Sequence, residues 1–185
     1  MTLIDAARSV LVLVDYQQRL MPAILDGPQV LAHAQRLARA AGLLGVPVVG
    51  TEQNPRGLGP NDASIRALCS QTLPKMHFDA CAQGLLGWLD GAAVAHRTQV
   101  VIAGCEAHVC LMQTALGLLH AGRPVWVVAQ ASGSRSATDH RLAMERLRQA
   151  GATIVGVEMV LFEWLRTCEH EQFKPILASL KSRTP

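Results

Sequence analysis

The 185-residue chain is 50% hydrophobic and 17% charged, with a mean hydropathy of +0.22, a formal net charge of +3 and 4% aromatic residues. That length suits one domain with a sizeable core, and scattered cations without stacking aromatics argue against nucleic acid as a partner. No apolar run approaches the ~18 residues of a membrane span, and five cysteines without a CxxC pair, behind an N-terminus carrying Asp5, Arg8 and Asp15, read as a cytoplasmic protein with free thiols rather than an exported one.

Ser9 to Val14 is a short, fully apolar Val/Leu run that ends in Asp15. Read as a buried parallel strand, it sets Asp15 at a carboxyl end, the edge where α/β enzymes keep their chemistry. The same Asp also fits a turn or an N-cap. Tyr16, Gln17 and Gln18 make a polar loop before Leu20. Pro28 suits the first turn of a helix whose apolar positions, Val30, Leu31, Ala34, Leu37, Ala38, Ala41 and Leu44, keep helical spacing up to Gly45. Val46 to Thr51 is the second strand. The Pro/Gly-rich stretch from Thr51 to Pro60 is a loop that reads equally as connector or pocket wall, and Asp62 to Cys69 reads as a short helix.

Lys75 lies in an extended, irregular segment, Thr72 to Phe78, between Pro74 and Met76. A lone lysine is ordinarily solvated, and this apolar setting favours a cleft. His77 and Asp79 lack a third ligand at metal-binding spacing. Leu85 to Leu89 continues as helix. Val100 to Ala103 is a strand broken at Gly104, followed by a long helical pattern from about Ala107 to Ala121 that carries Cys110 near its front. A thiol there faces the positive end of the helix dipole, which predicts a lowered thiol pKa; a buried structural cysteine is the plainer alternative. Val125 to Ala129 is the next strand, and the Ser/Gly loop after it lacks the ending of a phosphate loop. Thr138 or Asp139 can cap the helix that runs to Gln149. Thr153 to Val157 is the last strand, Val160 to Leu165 and Glu169 to Leu180 close the chain, and Lys181 to Pro185 is expected to fray. Residues 1–185 therefore read as one three-layer α/β/α domain around a mostly parallel, Rossmann-like sheet of five to six strands.

Three stretches together, Val10-Leu11-Val12-Leu13-Val14-Asp15-Tyr16-Gln17, Lys75-Met76-His77-Phe78-Asp79-Ala80 and Gly104-Cys105-Glu106-Ala107-His108-Val109-Cys110, resemble the isochorismatase-like cysteine hydrolases, which include nicotinamidases and N-carbamoylsarcosine amidases. Thr51 to Pro55 and Gly57 to Pro60 resemble a narrower subgroup, the isochorismatase domain-containing proteins. The resemblance implies a triad of Asp15, Lys75 and Cys110, hydrolysing a small-molecule amide or related C–N bond through a thioester. It also implies a cis peptide at Cys105–Glu106, an oxyanion hole made by the backbone N–H groups of Glu106 and Cys110, and a homo-oligomer. The residue types suit that chemistry: a carboxylate can take the thiol proton, and an ammonium beside both favours their charged forms. The chain departs from the wider family at Ala107-His108, where many members have Thr-Asp. It also lacks the Asp-x-His element of the metal-binding nicotinamidases, reading Glu52-Gln53-Asn54-Pro55 instead, which argues against zinc; no cofactor is expected. Gln18, Leu20, Gln53, Leu58, Phe78 and His108 are pocket candidates by strand-end logic, His108 serving equally as a helix cap. A catalytically silent binding or oligomeric module, and a thiol sensor using Cys105 with Cys110, are the competing functions.

Overall fold

The computed structural model describes residues 2–181; all but the first residue of the Lys181 to Pro185 tail lies outside that range. Ser9–Val14 forms β1, every residue of it buried, and Gly27–Leu43 forms α1. β2 is Val48–Gln53, followed by two single-turn helices, α2 (Pro55–Leu58) and α3 (Ala63–Arg66), and by β3, Gln71–Lys75. α4 is Leu85–Leu89 and β4 is Gln99–Gly104. A π-helical turn, Ala107–Leu111, leads into α5, Met112–His120. β5 (Val125–Val128), α6 (Ala137–Gln149), β6 (Thr153–Val155), α7 (Val157–Leu165) and α8 (Phe173–Lys181) complete the described chain.

The strands form one parallel sheet in the order β3-β2-β1-β4-β5-β6. The period-two alternation of β1 feeds both faces. Leu11 and Leu13 pack with Ala34 and Leu37 of α1, Leu161 and Trp164 of α7 and Ile176 of α8. Val10, Val12 and Val14 pack with Leu85 of α4, Leu111, Leu118 of α5 and Leu147 of α6. A strand covered on both faces has no reason to alternate polar with apolar, which is why β1 and β4 are continuous apolar runs. The three-layer single sheet thus agrees with the sequence reading.

The boundaries differ where tertiary partners decide them. β2 runs on to Gln53, because its polar end residues pair with β3 as Glu52 to Pro74 and Gln53 to Lys75. The Lys75 segment is an edge strand, where Pro74 is tolerated. Part of the Thr51 to Pro60 loop is helical as α2. Ser136, rather than Thr138 or Asp139, caps α6 by accepting the Asp139 N–H. Val157 opens α7 instead of ending β6, since Gln130 Oε1 accepts its N–H at 2.9 Å. The last helix begins at Phe173, not Glu169.

Candidate active site

The strand order reverses between β1 and β4, and in open parallel sheets ligands bind in the crevice at the carboxyl ends of the strands flanking such a point. Val14 and Gly104 end these strands side by side. A Cβ on Gly104 would collide with the Val14 carbonyl oxygen and Cβ, so only glycine allows this approach.

Asp15 leaves β1 with φ +55°, a left-handed conformation that Asp tolerates better than most residues. Sheet register then supplies its partners. Val14 lies opposite Thr51, and Gln53 lies opposite Lys75. Thr51 Oγ1 donates to Asp15 Oδ1 at 2.7 Å, and Lys75 Nζ donates to Asp15 Oδ2 at 2.7 Å and to Gln53 Oε1 at 2.8 Å. Asp15 is 0% exposed and Lys75 1%. A buried ion pair is costly unless good geometry and further hydrogen bonds compensate, and Gln53, the second acceptor of Lys75, is itself held by a further tier. Gln53 Nε2 donates to the Met76 carbonyl at 2.8 Å, and the Gln53 N–H donates to Gln17 Oε1 at 2.8 Å. Gln17 Nε2 donates to the carbonyls of Gln53 and Gly59 at 3.0 and 2.6 Å.

Cys110 is 5% exposed and sits in the π turn, closed by the Leu111 N–H on the Glu106 carbonyl at 3.2 Å. π turns are rare and concentrate at functional sites. The thiol lies beside Asp15 and Lys75, so the three strand ends named from sequence converge. Its pKa contradicts the expected lowering. Burial first, and the Asp15 charge second, push the Cys110 thiol up to about 12, against the opposing pull of Lys75. Two effects explain the difference: Asp15 and Lys75 largely neutralise one another, and removal from water penalises the thiolate.

The peptide bond between Cys105 and Glu106 is cis. Among the described residues nothing accepts the Glu106 N–H, whereas the next amide, Ala107 N–H, donates to the Gly133 carbonyl at 2.7 Å. The Glu106 carboxylate is bound by Arg135, with Nη2 to Oε1 at 2.6 Å and Nε to Oε2 at 2.9 Å. That ion pair holds the Glu106 carboxyl below the usual carboxylate range.

The pocket candidates differ in burial and in what holds them. Gln53 is engaged at both ends of its amide. Leu20 packs against the core on the α1 side. Gln18 is exposed and its N–H bonds the Pro60 carbonyl, and Leu58 is half-buried. Phe78 is exposed, near the Lys75 end of β3. His108 is half-buried with Nδ1 3.0 Å from Ser134 Oγ. Thr51, Gln17 and Arg135 were not singled out from the sequence, because their parts depend on register and on a contact 29 residues apart. Asp79 caps a short turn by accepting the Cys81 N–H, and among the described residues no three His, Cys, Asp or Glu side chains cluster as a metal site requires.

Comparison with known proteins gives the family and the fold. The isochorismatase domain model matches residues 9–159. Isochorismatase domain-containing protein 2A of Mus musculus is 37% identical over 177 residues, spanning 96% of this chain and 84% of that protein. The structure of MAR1 ribonuclease from Caenorhabditis elegans superposes with a TM-score of 0.91 at 29% identity, over 100% of this chain and 95% of that one. The YcaC gene product of Escherichia coli, described as an octameric hydrolase of unknown specificity, shares the fold with a TM-score of 0.84 at 21% identity, over 100% and 98% of the two chains. With the family match running through Asp15, Lys75 and Cys110, the chain belongs to the isochorismatase family.

Proposed function

We propose that this protein is a cysteine hydrolase acting on a small-molecule amide or related C–N bond. The observation that supports this reading is a buried Asp15–Lys75 pair, held also by Thr51 and Gln53 and set beside one thiol, with the unaccepted Glu106 N–H on the same turn. Cys110 is the nucleophile. Because its thiol is protonated at rest, its proton passes to Asp15 as the S–C bond forms. The oxygen that gains charge is met by the N–H groups of Glu106 and Cys110. Asp15 returns the proton to the departing amine as the C–N bond breaks. Water, deprotonated by Asp15, then attacks the thioester; the C–S bond breaks, the acid is released and the thiol recovers its proton. Lys75 keeps the Asp15 carboxylate oriented and offsets its charge.

Two competing readings fit less well. Cys105 packs in the core on the α1 side, 3.8 Å from Met21 Sδ, whereas Cys110 belongs to the core on the α5 side. A sensor disulfide between them would have to draw one of the two thiols out of its own cluster. A silent binding module has no use for a charged pair that is costly to bury. The ribonuclease name of the Caenorhabditis elegans neighbour is not carried over, since Lys75 is already engaged by Asp15 and Gln53 and no basic stripe is present in the sequence. A panel of small amides and nitriles, assayed by ammonia release, is expected to yield a substrate whose turnover Cys110→Ala abolishes. Turnover that survives Cys110→Ala overturns the nucleophile assignment.

The proposed working form is a homo-oligomer in the cytoplasm. Met76 and Phe78 expose apolar surface, and the Escherichia coli neighbour is described as octameric. Sedimentation at micromolar concentration is expected to give a species larger than 19.9 kDa; a monomer there contradicts this.

A further inference from the structure

The loop after β5 folds back onto the turn that carries the thiol. The Gly133 N–H donates to the Gly104 carbonyl at 3.1 Å, and the Ala107 N–H donates to the Gly133 carbonyl at 2.7 Å. Two residues on, Arg135 makes three bonds to one carboxylate. Its N–H and Nε donate to Glu106 Oε2 at 3.1 and 2.9 Å, and its Nη2 donates to Oε1 at 2.6 Å. The Arg135 side chain is 63% exposed, whereas that of Glu106 is only 7% exposed.

Surface ion pairs usually contribute little, because two flexible side chains must be held in one geometry. This pair differs in that one partner is nearly buried and the contact is bidentate, which fixes the carboxylate plane as well as its distance. Glu106 takes no part in the Asp15–Lys75–Thr51 hydrogen bonds. Its carboxylate faces Arg135 from the loop and His108 from its own turn. In the hydrolase reading, Glu106 contributes its backbone N–H, for which no acceptor is found among the described residues, and how the rest of the residue is held bears on where that N–H points.

We propose that Arg135 is a positioning residue: by gripping the Glu106 carboxylate it aims the Glu106 N–H at the oxygen of a carbonyl under attack by Cys110. This rests on the hydrolase reading, and the test separates the two. Butyraldehyde and iodoacetamide are the probes. The thiol adds to the aldehyde carbonyl, forming an S–C bond, and its proton ends on the former carbonyl oxygen; nothing is oxidised or reduced. That oxygen uses the Glu106 donor. Iodoacetamide is attacked at its CH₂ carbon: the S–C bond forms as the C–I bond breaks, iodide leaves, the thiol proton passes to the buffer, and no oxyanion forms. Both reactions are followed at the Cys110 peptide by mass spectrometry, the aldehyde through its protection against alkylation.

In Arg135→Met the alkylation rate is expected to stay within about threefold of wild type, while aldehyde affinity falls about tenfold or more, less than the ~10²–10³-fold cost of removing an oxyanion donor outright. Arg135→Lys is expected not to restore it, because an ammonium cannot make the bidentate contact. The pH dependence carries a sign. Arg135 keeps Glu106 ionised as pH falls through the ordinary carboxylate range, and without it burial favours the neutral acid. Aldehyde affinity in wild type should therefore fall only below that range, where Glu106 takes up a proton and the grip loosens, and this fall should be missing in Arg135→Met, where the guanidinium grip is absent at every pH. Unchanged affinity and pH profile in Arg135→Met overturn the proposal and leave the hydrolase reading intact. A parallel loss of alkylation and aldehyde binding also overturns it, as the mark of a general collapse. Wild-type Cys110 that is alkylated but never protected by aldehyde overturns the oxyanion part of the hydrolase reading, and this proposal with it.

Discussion

Replacing Lys75 with methionine is expected to destabilise the fold by about 3–5 kcal/mol, the range found when one partner of a buried ion pair is removed. Asp15 would keep Thr51 Oγ1 on one carboxylate oxygen and lose the ammonium 2.7 Å from the other, at a position 0% exposed to solvent. Gln53 Oε1 would lose its donor too, so the cost spreads into the Gln53–Gln17 tier. The double substitution Asp15→Asn with Lys75→Met removes both charges and should recover most of the lost stability while remaining inactive. Urea denaturation of the wild type, Lys75→Met and the double variant, read at constant m, measures both effects. A single Lys75→Met variant within about 1 kcal/mol of wild type contradicts a buried, uncompensated carboxylate.

The second large effect concerns Asp15. Asp15→Asn is expected to lower turnover by about 10²–10⁴-fold, the usual contribution of a positioned general base. It should nevertheless make the thiol more acidic. In the wild type the Asp15 charge adds to burial in pushing the Cys110 thiol up to about 12, and Lys75 pulls the other way. Taking away the carboxylate leaves the ammonium unopposed, and a single nearby charge moves a pKa by roughly 1–3 units. Lys75→Met should shift the thiol in the opposite direction. Activity and thiol acidity therefore part company, which a mechanism based on a standing thiolate does not allow.

The architecture was legible where burial on both faces left an unmixed apolar run. β1 and β4 could be read directly, and each pointed to the residue that follows its end. Edge strand β3 was harder, because Gln71, Thr72 and Pro74 face little core and carry no pattern. The end of β2 looked like loop because Glu52 and Gln53 are polar; Gln53 serves the Asp15–Lys75 pair, and Glu52 accepts the Asn61 N–H. The turn at Ala107–Leu111 passed for the start of one long helix, since its apolar spacing is compatible with both α and π geometry. The Asp15, Lys75 and Cys110 positions were visible only as three motifs in order. Their meeting depends on register, as do Thr51 and Gln53, and no local signal encodes it. The Glu106–Arg135 contact joins two loops across the ends of β4 and β5 and had no sequence signature. The predicted lowering of the thiol pKa failed for a physical reason: helix-end logic considers one dipole, whereas the folded site adds burial and a carboxylate.

The alkylation rate of Cys110 as a function of pH, measured in wild type and in Asp15→Asn at the level of the Cys110 peptide, tests the division of labour between base and nucleophile most directly. The account predicts a wild-type profile that keeps rising toward high pH, and an Asp15→Asn profile displaced to lower pH although turnover is lost. A wild-type thiol that titrates below neutrality, or an Asp15→Asn profile displaced to higher pH, would contradict it.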